Sequence, residues 1–160
     1  MNAKAAIRLS IDTGNMVAMA YLGDLTDADL MRRAAPGINT INWQLGHLIA
    51  AEHQMVNQAC SGAMPPLPPG FLEKYSKETA GSDDASQFCS KDELLQVAAA
   101  QRAATLAALD KLPEADLDKP TGLDYAPTVA ALFSLQGSHF LMHAGQWAVV
   151  RRQLGRPPLF

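Results

Sequence analysis

The sequence predicts an all-α four-helix bundle with a long crossover loop between helices 2 and 3. Four segments carry apolar residues at helical spacing, the second connection is far longer than the others, and no stretch alternates apolar and polar residues long enough for a strand. At 160 residues the chain is the length of one ordinary domain and can bury a core without disulfides, so residues 1–160 are read as one bundle.

The first helix rests on Ile7, Ile11, Ala18, Leu22 and Leu25, which recur at heptad-like intervals over about residues 4–23, with Gly14 and Asn15 interrupting the stripe. Thr26 caps one or two turns before Pro36-Gly37 stops them. The second helix starts near Asn39-Thr40 and carries Ile41, Leu45, Leu48 and Met55 before Gly62. From Gly62 to about Cys89 the chain is first proline-rich and then small and polar, which reads as the crossover. Ser90 and Glu93 form a capping box opening the third helix, with Leu95, Ala99, Leu106 and Leu109 expected inward. After the loop DKPTGLDYAP, the fourth helix runs from about Thr128 to Leu154, where Gly155 and Pro157-Pro158 end it.

Composition excludes several functions. With 48% hydrophobic and 18% charged residues and a net charge of -3, no basic surplus exists to attract a phosphate backbone, so no nucleic-acid partner is expected. The N-terminus has no apolar signal-like run and no window is long enough to span a membrane, so a soluble cytoplasmic protein with no membrane association is expected. Cys60 and Cys89 lack the C-x-x-C spacing of redox or zinc motifs and read as reduced thiols.

The chemistry lies in SHFLMHAGQW, residues 138–147, where His139 and His143 stand one turn apart on one side of a helix. The inward frame of the fourth helix reads Val129, Leu132, Gln136, His139, His143, Gln146 and Val150, with four successive polar members. Burying such groups unpaired costs about 1–3 kcal/mol each, so something polar must meet them. On the second helix Gln44, His47, Ala51 and Gln54 share a side beside the apolar stripe, whereas His53 is rotated roughly 120° from His47 and is left out. His47, His139 and His143 make a three-nitrogen set, the ligand count of a metal site that keeps an open position. Imidazole suits Zn, Ni, Fe and Cu. The competing reading is that these are core histidines satisfied by Gln136, Gln146 and a neighbouring helix.

NWQLGHLIAAE (residues 42–52), SHFLMHAGQWAVVRRQLGRPP (138–158) and the four-helix layout resemble the DinB/YfiT-like superfamily of damage-inducible bundle proteins. Its H-L-x-x-x-E segment is matched by His47, Leu48 and Glu52, and its H-x-x-x-H followed by G-Q by His139, His143, Gly145 and Gln146. The resemblance implies a divalent metal on His47, His139 and His143, Zn or Ni first and Fe or Mn next, and a homodimer.

Around this set, Glu52 is about 140° from His47 and reads as a surface group or one half of an inter-helix pair. Gln136 and Gln146 either orient a histidine or ligand water or pair with neighbours, and Asn15 is a candidate for the same duty or exposed. Trp43 and Trp147 read as core or pocket wall, and Arg151, Arg152 and Arg156 complement the negative end of the fourth helix.

Phe140 follows His139 where a zinc protease of the H-E-x-x-H type carries its general base, and no E-x-x-H for a di-metal carboxylate site is present. No Ser-His-Asp arrangement or glycine-rich phosphate loop is visible, and no catalytic residue is assigned. Thiol-dependent S-transferases and an isomerase occur in the superfamily, so the resemblance implies a metal-dependent enzyme using a low-molecular-weight thiol on a small-molecule substrate. A metal-dependent hydrolase, or a non-catalytic metal- or ligand-binding stress protein, is the alternative.

Overall fold

The computed structural model describes residues 1–160. Its four long helices are α1 (Ala3–Leu22), α3 (Ile41–Ala59), α5 (Lys91–Lys111) and α6 (Val129–Gln153), with short helices α2 (Asp27–Leu30) and α4 (Phe71–Lys74) in the connections. Each long helix begins where the sequence supplies a cap. Asn2, Thr40, Ser90 and Thr128 accept from the backbone N–H three residues on, and Glu93 returns to Ser90 to close the capping box. At the other end of α6, Gly155 takes φ +72°. The Arg156 N–H then bonds the Arg151 carbonyl at 2.9 Å and the Gly155 N–H bonds the Arg152 carbonyl at 3.0 Å, a Schellman turn.

Side-chain contacts give the helix directions. α1 and α6 run parallel, with Ile7 and Ile11 clustered near Val129 and Phe133 at one end and the Tyr21 carbonyl bound by Arg151 at the other. α3 and α5 are also parallel, since Asn42 bonds the Cys89 carbonyl and Glu52 pairs with Arg102. α3 is antiparallel to α6: Gln44 meets His143 while Met55 meets Gln136. Two consecutive helices packed in parallel cannot be joined by a tight turn, so residues 60–90 must travel back along the bundle. That is the crossover the sequence predicts.

The crossover is packed against α3. Phe71, Tyr75 and Phe88 join the same core cluster as Leu45, Leu48 and Ile49. The Tyr75 hydroxyl donates to Asn42 Oδ1 at 3.2 Å and accepts from the Cys89 N–H at 2.9 Å. The Trp43 indole N–H donates to the Ser76 carbonyl and Thr79 Oγ1. Gly46 lies under the Tyr75 ring, where any Cβ would overlap it.

Four expectations are corrected. The loop after α5 holds a small antiparallel hairpin, β1 (Pro120–Leu123) with β2 (Ala126–Thr128), too short to leave an alternating pattern in the sequence. On α5 Leu109 is buried as expected and Leu95 and Leu106 pack half-buried against the core, but the rest of the buried line is Leu94, Ala98, Gln101, Arg102, Thr105 and Ala108, and Ala99 is exposed. On α6 the expected Val129, Leu132, Gln136 and Val150 are buried, but Phe133, Gly137, Phe140, Ala144, Trp147 and Arg151 are buried as well, and His139, His143 and Gln146 lie half-buried beside that line. Short connections predict antiparallel helices packed as neighbours; the two shorter links, before α3 and before α6, do join antiparallel helices, but the closest-packed pairs are α1 with α6, α3 with α5 and α3 with α6.

Gly14 belongs to the buried stripe of α1. It meets Gly137 at the crossing with α6, and a Cβ on Gly137 would sit inside van der Waals contact with the Ser10 carbonyl. Because rigid backbone is the obstacle, Gly137→Ala is expected to destabilise the fold by about 3 kcal/mol, the upper end for overpacking. Urea unfolding checks this, and an unchanged midpoint would contradict the close crossing.

Candidate functional site

His47 comes from the middle of α3, and His139 and His143 come from one side of antiparallel α6, so the packing of two helices brings three imidazoles together. Their nearest candidate ligand atoms all lie within 4.8 Å of one another. Ring centroids are 5.5 Å apart for His47 and His139, 5.9 Å for His47 and His143, and 5.1 Å for His139 and His143. Three nitrogens on one tetrahedral zinc stand about 3.3 Å apart. No carboxylate or thiol belongs to the group.

All three rings are half-buried. Burial lowers the His47 pKa from its ordinary value. Burial first, and then the neighbouring His47, pushes His139 down to about 4; burial, His139 and His47 do the same to His143. At neutral pH these rings are therefore uncharged, each with a nitrogen lone pair to give, the state a metal requires.

With folded values near 4 against 6.5 for the ordinary imidazole, the unfolded chain binds protons in that window that the folded chain does not. This contribution therefore falls as pH drops from 6.5 toward 4 and is constant above. Metal-free protein is expected to unfold at lower urea at pH 5 than at pH 7, with a smaller difference in His143→Ala. An equal difference in both proteins would contradict the assignment.

Two of the rings have a distinct support outside the cluster. His47 stacks on Trp43 one turn earlier, with centroids 5.0 Å apart and planes 5° from parallel. His143 Nδ1 lies 3.0 Å from Gln44 Oε1. Gln44 is 2% exposed and also bonds Asn39, Gln146 and Trp147. The sequence placed Gln44 on the His47 side of the helix without giving it a role. Its burial follows from α6 packing over this face, which periodicity of α3 alone does not reveal.

The other candidates separate from the cluster. Gln146 reaches it only through Gln44. Gln136 instead donates to the Leu132 carbonyl and Met55 sulfur, and Asn15 is half-buried on α1. His53 bonds Gln101 and Asn57. Glu52 is 1% exposed and forms an inter-helix pair with Arg102, which excludes the surface alternative. Trp147 and Trp43 both belong to the core, and Trp43 also lines a cavity. Arg151 and Arg156 do more than complement a helix end, because both pair with Asp24, and Arg156 also with Asp29.

A sequence profile of the DinB superfamily matches residues 11–147, a span that includes all three histidines. The chain belongs to the DinB superfamily. Among solved structures, a conserved protein from Enterococcus faecalis superposes with a TM-score of 0.71 at 17% identity, covering 98% of this chain and 99% of that one. At that identity the likeness concerns the fold. No curated protein matches the chain. DinB membership and the three-histidine group together point to divalent-metal binding in general. No helix is long and apolar enough to cross a membrane, and Cys60 and Cys89 are unpaired.

Proposed function

We propose that this DinB-superfamily bundle is a divalent-metal-dependent enzyme of the thiol S-transferase or isomerase type, with His47, His139 and His143 as the metal ligands. The observation that carries the enzymatic reading is that His47 belongs both to the histidine cluster and to the wall of a cavity of about 290 Å3. Structural zinc sites are closed by four protein ligands, whereas three ligands beside an open space leave room for a reactant.

Trp43, Ala50, Ala51 and Leu72 give this cavity an apolar wall suited to a small organic body, and Gln54 and Lys77 supply its polar edge. A bound divalent cation supplies positive charge that lowers the pKa of a nearby thiol, favouring the thiolate nucleophile. In the transfer, the thiol proton passes to solvent, and its sulfur displaces the leaving group from an electrophilic carbon. His47, uncharged and held by the Trp43 stack, keeps its lone pair for the metal.

The test is a screen of tag-free, zinc- or nickel-loaded protein against a panel of cellular thiols with a model alkyl halide. Turnover that disappears on chelation and in His47→Ala is expected. Metal binding without turnover for any thiol would favour the non-catalytic role, and turnover insensitive to chelation would overturn the mechanism.

A further inference from the structure

We infer that Gln44 is a positioning residue that holds His143 in its Nδ1–H tautomer and so assigns Nε2 as the atom His143 offers to a ligand. Two neighbours decide the orientation of the Gln44 amide. The Asn39 carbonyl only accepts, and it lies 2.8 Å from Gln44 Nε2. The Trp147 indole N–H only donates, and it lies 2.8 Å from Gln44 Oε1. A flipped amide would set oxygen against oxygen at one contact and N–H against N–H at the other.

The oxygen therefore faces His143 Nδ1 at 3.0 Å, and a hydrogen bond there requires the proton on Nδ1. In the neutral ring this leaves the lone pair on Nε2. The second amide N–H donates to Gln146 Oε1 at 2.8 Å, so both donor positions and both lone pairs of the Gln44 amide are used. Rotating it breaks four hydrogen bonds in a buried position, which fixes both the tautomer and the tilt of the ring.

Partners of this kind, one bond removed from a ligand, govern affinity because they select the ligating atom before binding. The tautomer assignment stands on hydrogen bonding alone; its consequence for metal affinity rests on the metal reading proposed above.

Two measurements test it. Long-range nitrogen–proton correlation spectra of metal-free wild-type protein are expected to show His143 as the Nδ1–H tautomer, and Gln44→Met a mixture. Zinc affinity, read by competition with a chromophoric chelator, is expected to fall about 10–100-fold in Gln44→Met. Gln44→Glu retains an acceptor for His143 and Trp147 and is expected to recover part of that loss.

A wild-type spectrum with His143 protonated on Nε2 would overturn the proposal whether or not any variant folds. Identical tautomer and zinc affinity in wild type and Gln44→Met would overturn it as well. A tautomer shift with no zinc binding by either protein would support the assignment for Gln44 while refuting the metal reading.

Discussion

Replacing His143 by alanine is expected to lower zinc affinity by more than about 100-fold. Loss of a partner one bond removed from a ligand already costs 10–100-fold, and a missing donor costs more. The substitution is compatible with the fold, because the ring is half-buried and Gln44 Oε1 keeps the Trp147 indole N–H as a donor. His53→Ala is the matched control, since that ring lies on the same helix as His47 but bonds Gln101 and Asn57. Competition titration with a chromophoric chelator is expected to separate the two variants. Equal affinities would remove His143 from the site.

The second large effect concerns stability. Arg102 is 6% exposed; its Nη2 lies 3.1 Å from Glu52 Oε2 and donates to the Gln136 carbonyl, and the guanidinium covers the Phe140 ring at 4.7 Å. Thr105 donates to Glu52 Oε1 at 2.7 Å. Arg102→Met would leave a buried carboxylate without its cation, a change that costs about 3–5 kcal/mol at neutral pH.

Burial is the largest influence on Glu52 and raises its pKa, against Arg102 and Thr105, which lower it. A carboxylate raised in the folded state favours the folded protein at low pH, and that contribution is lost as pH rises through the folded value. Without Arg102 the folded value rises further, so the deficit of Arg102→Met is expected to be smaller at pH 5 than at pH 7. Glu52→Gln combined with Arg102→Met is expected to restore much of the neutral-pH loss. Urea unfolding measures all three proteins, and a pH-independent deficit would argue that lost packing, not the stranded charge, is responsible.

How far the sequence revealed these features depends on whether a local signal carried them. The ends of the long helices were legible because Thr40, Ser90, Thr128 and Gly155 act within one turn of themselves. The histidine cluster was legible because His139 and His143 stand one turn apart on one side of α6 and His47 shares a side of α3 with Gln44, although the three rings lie half-buried beside the core line and not within it. Phe140, which removed the protease reading, turns out to pack beneath Arg102 in the core.

What stayed hidden was set by contacts between helices. α6 carries apolar residues nearly all round, so its inward line was ambiguous until the Gly14 and Gly137 crossing turned Phe133, Phe140 and Trp147 inward. On alanine-rich α5, spacing within the helix gives no reason to bury Arg102, and the opposing Glu52 accounts for its burial. The fourfold bonding of Gln44 likewise draws on Asn39, Gln146 and Trp147, two of them about a hundred residues away in sequence.

The most direct test of the central claim is a crystal structure of tag-free, zinc-loaded protein with anomalous data at the zinc edge. The expected result is one peak with nitrogens of His47, His139 and His143 about 2.0–2.1 Å away and no fourth protein ligand. A peak bound instead by Cys60 or Cys89, or no peak among the three histidines at full zinc loading, would contradict it.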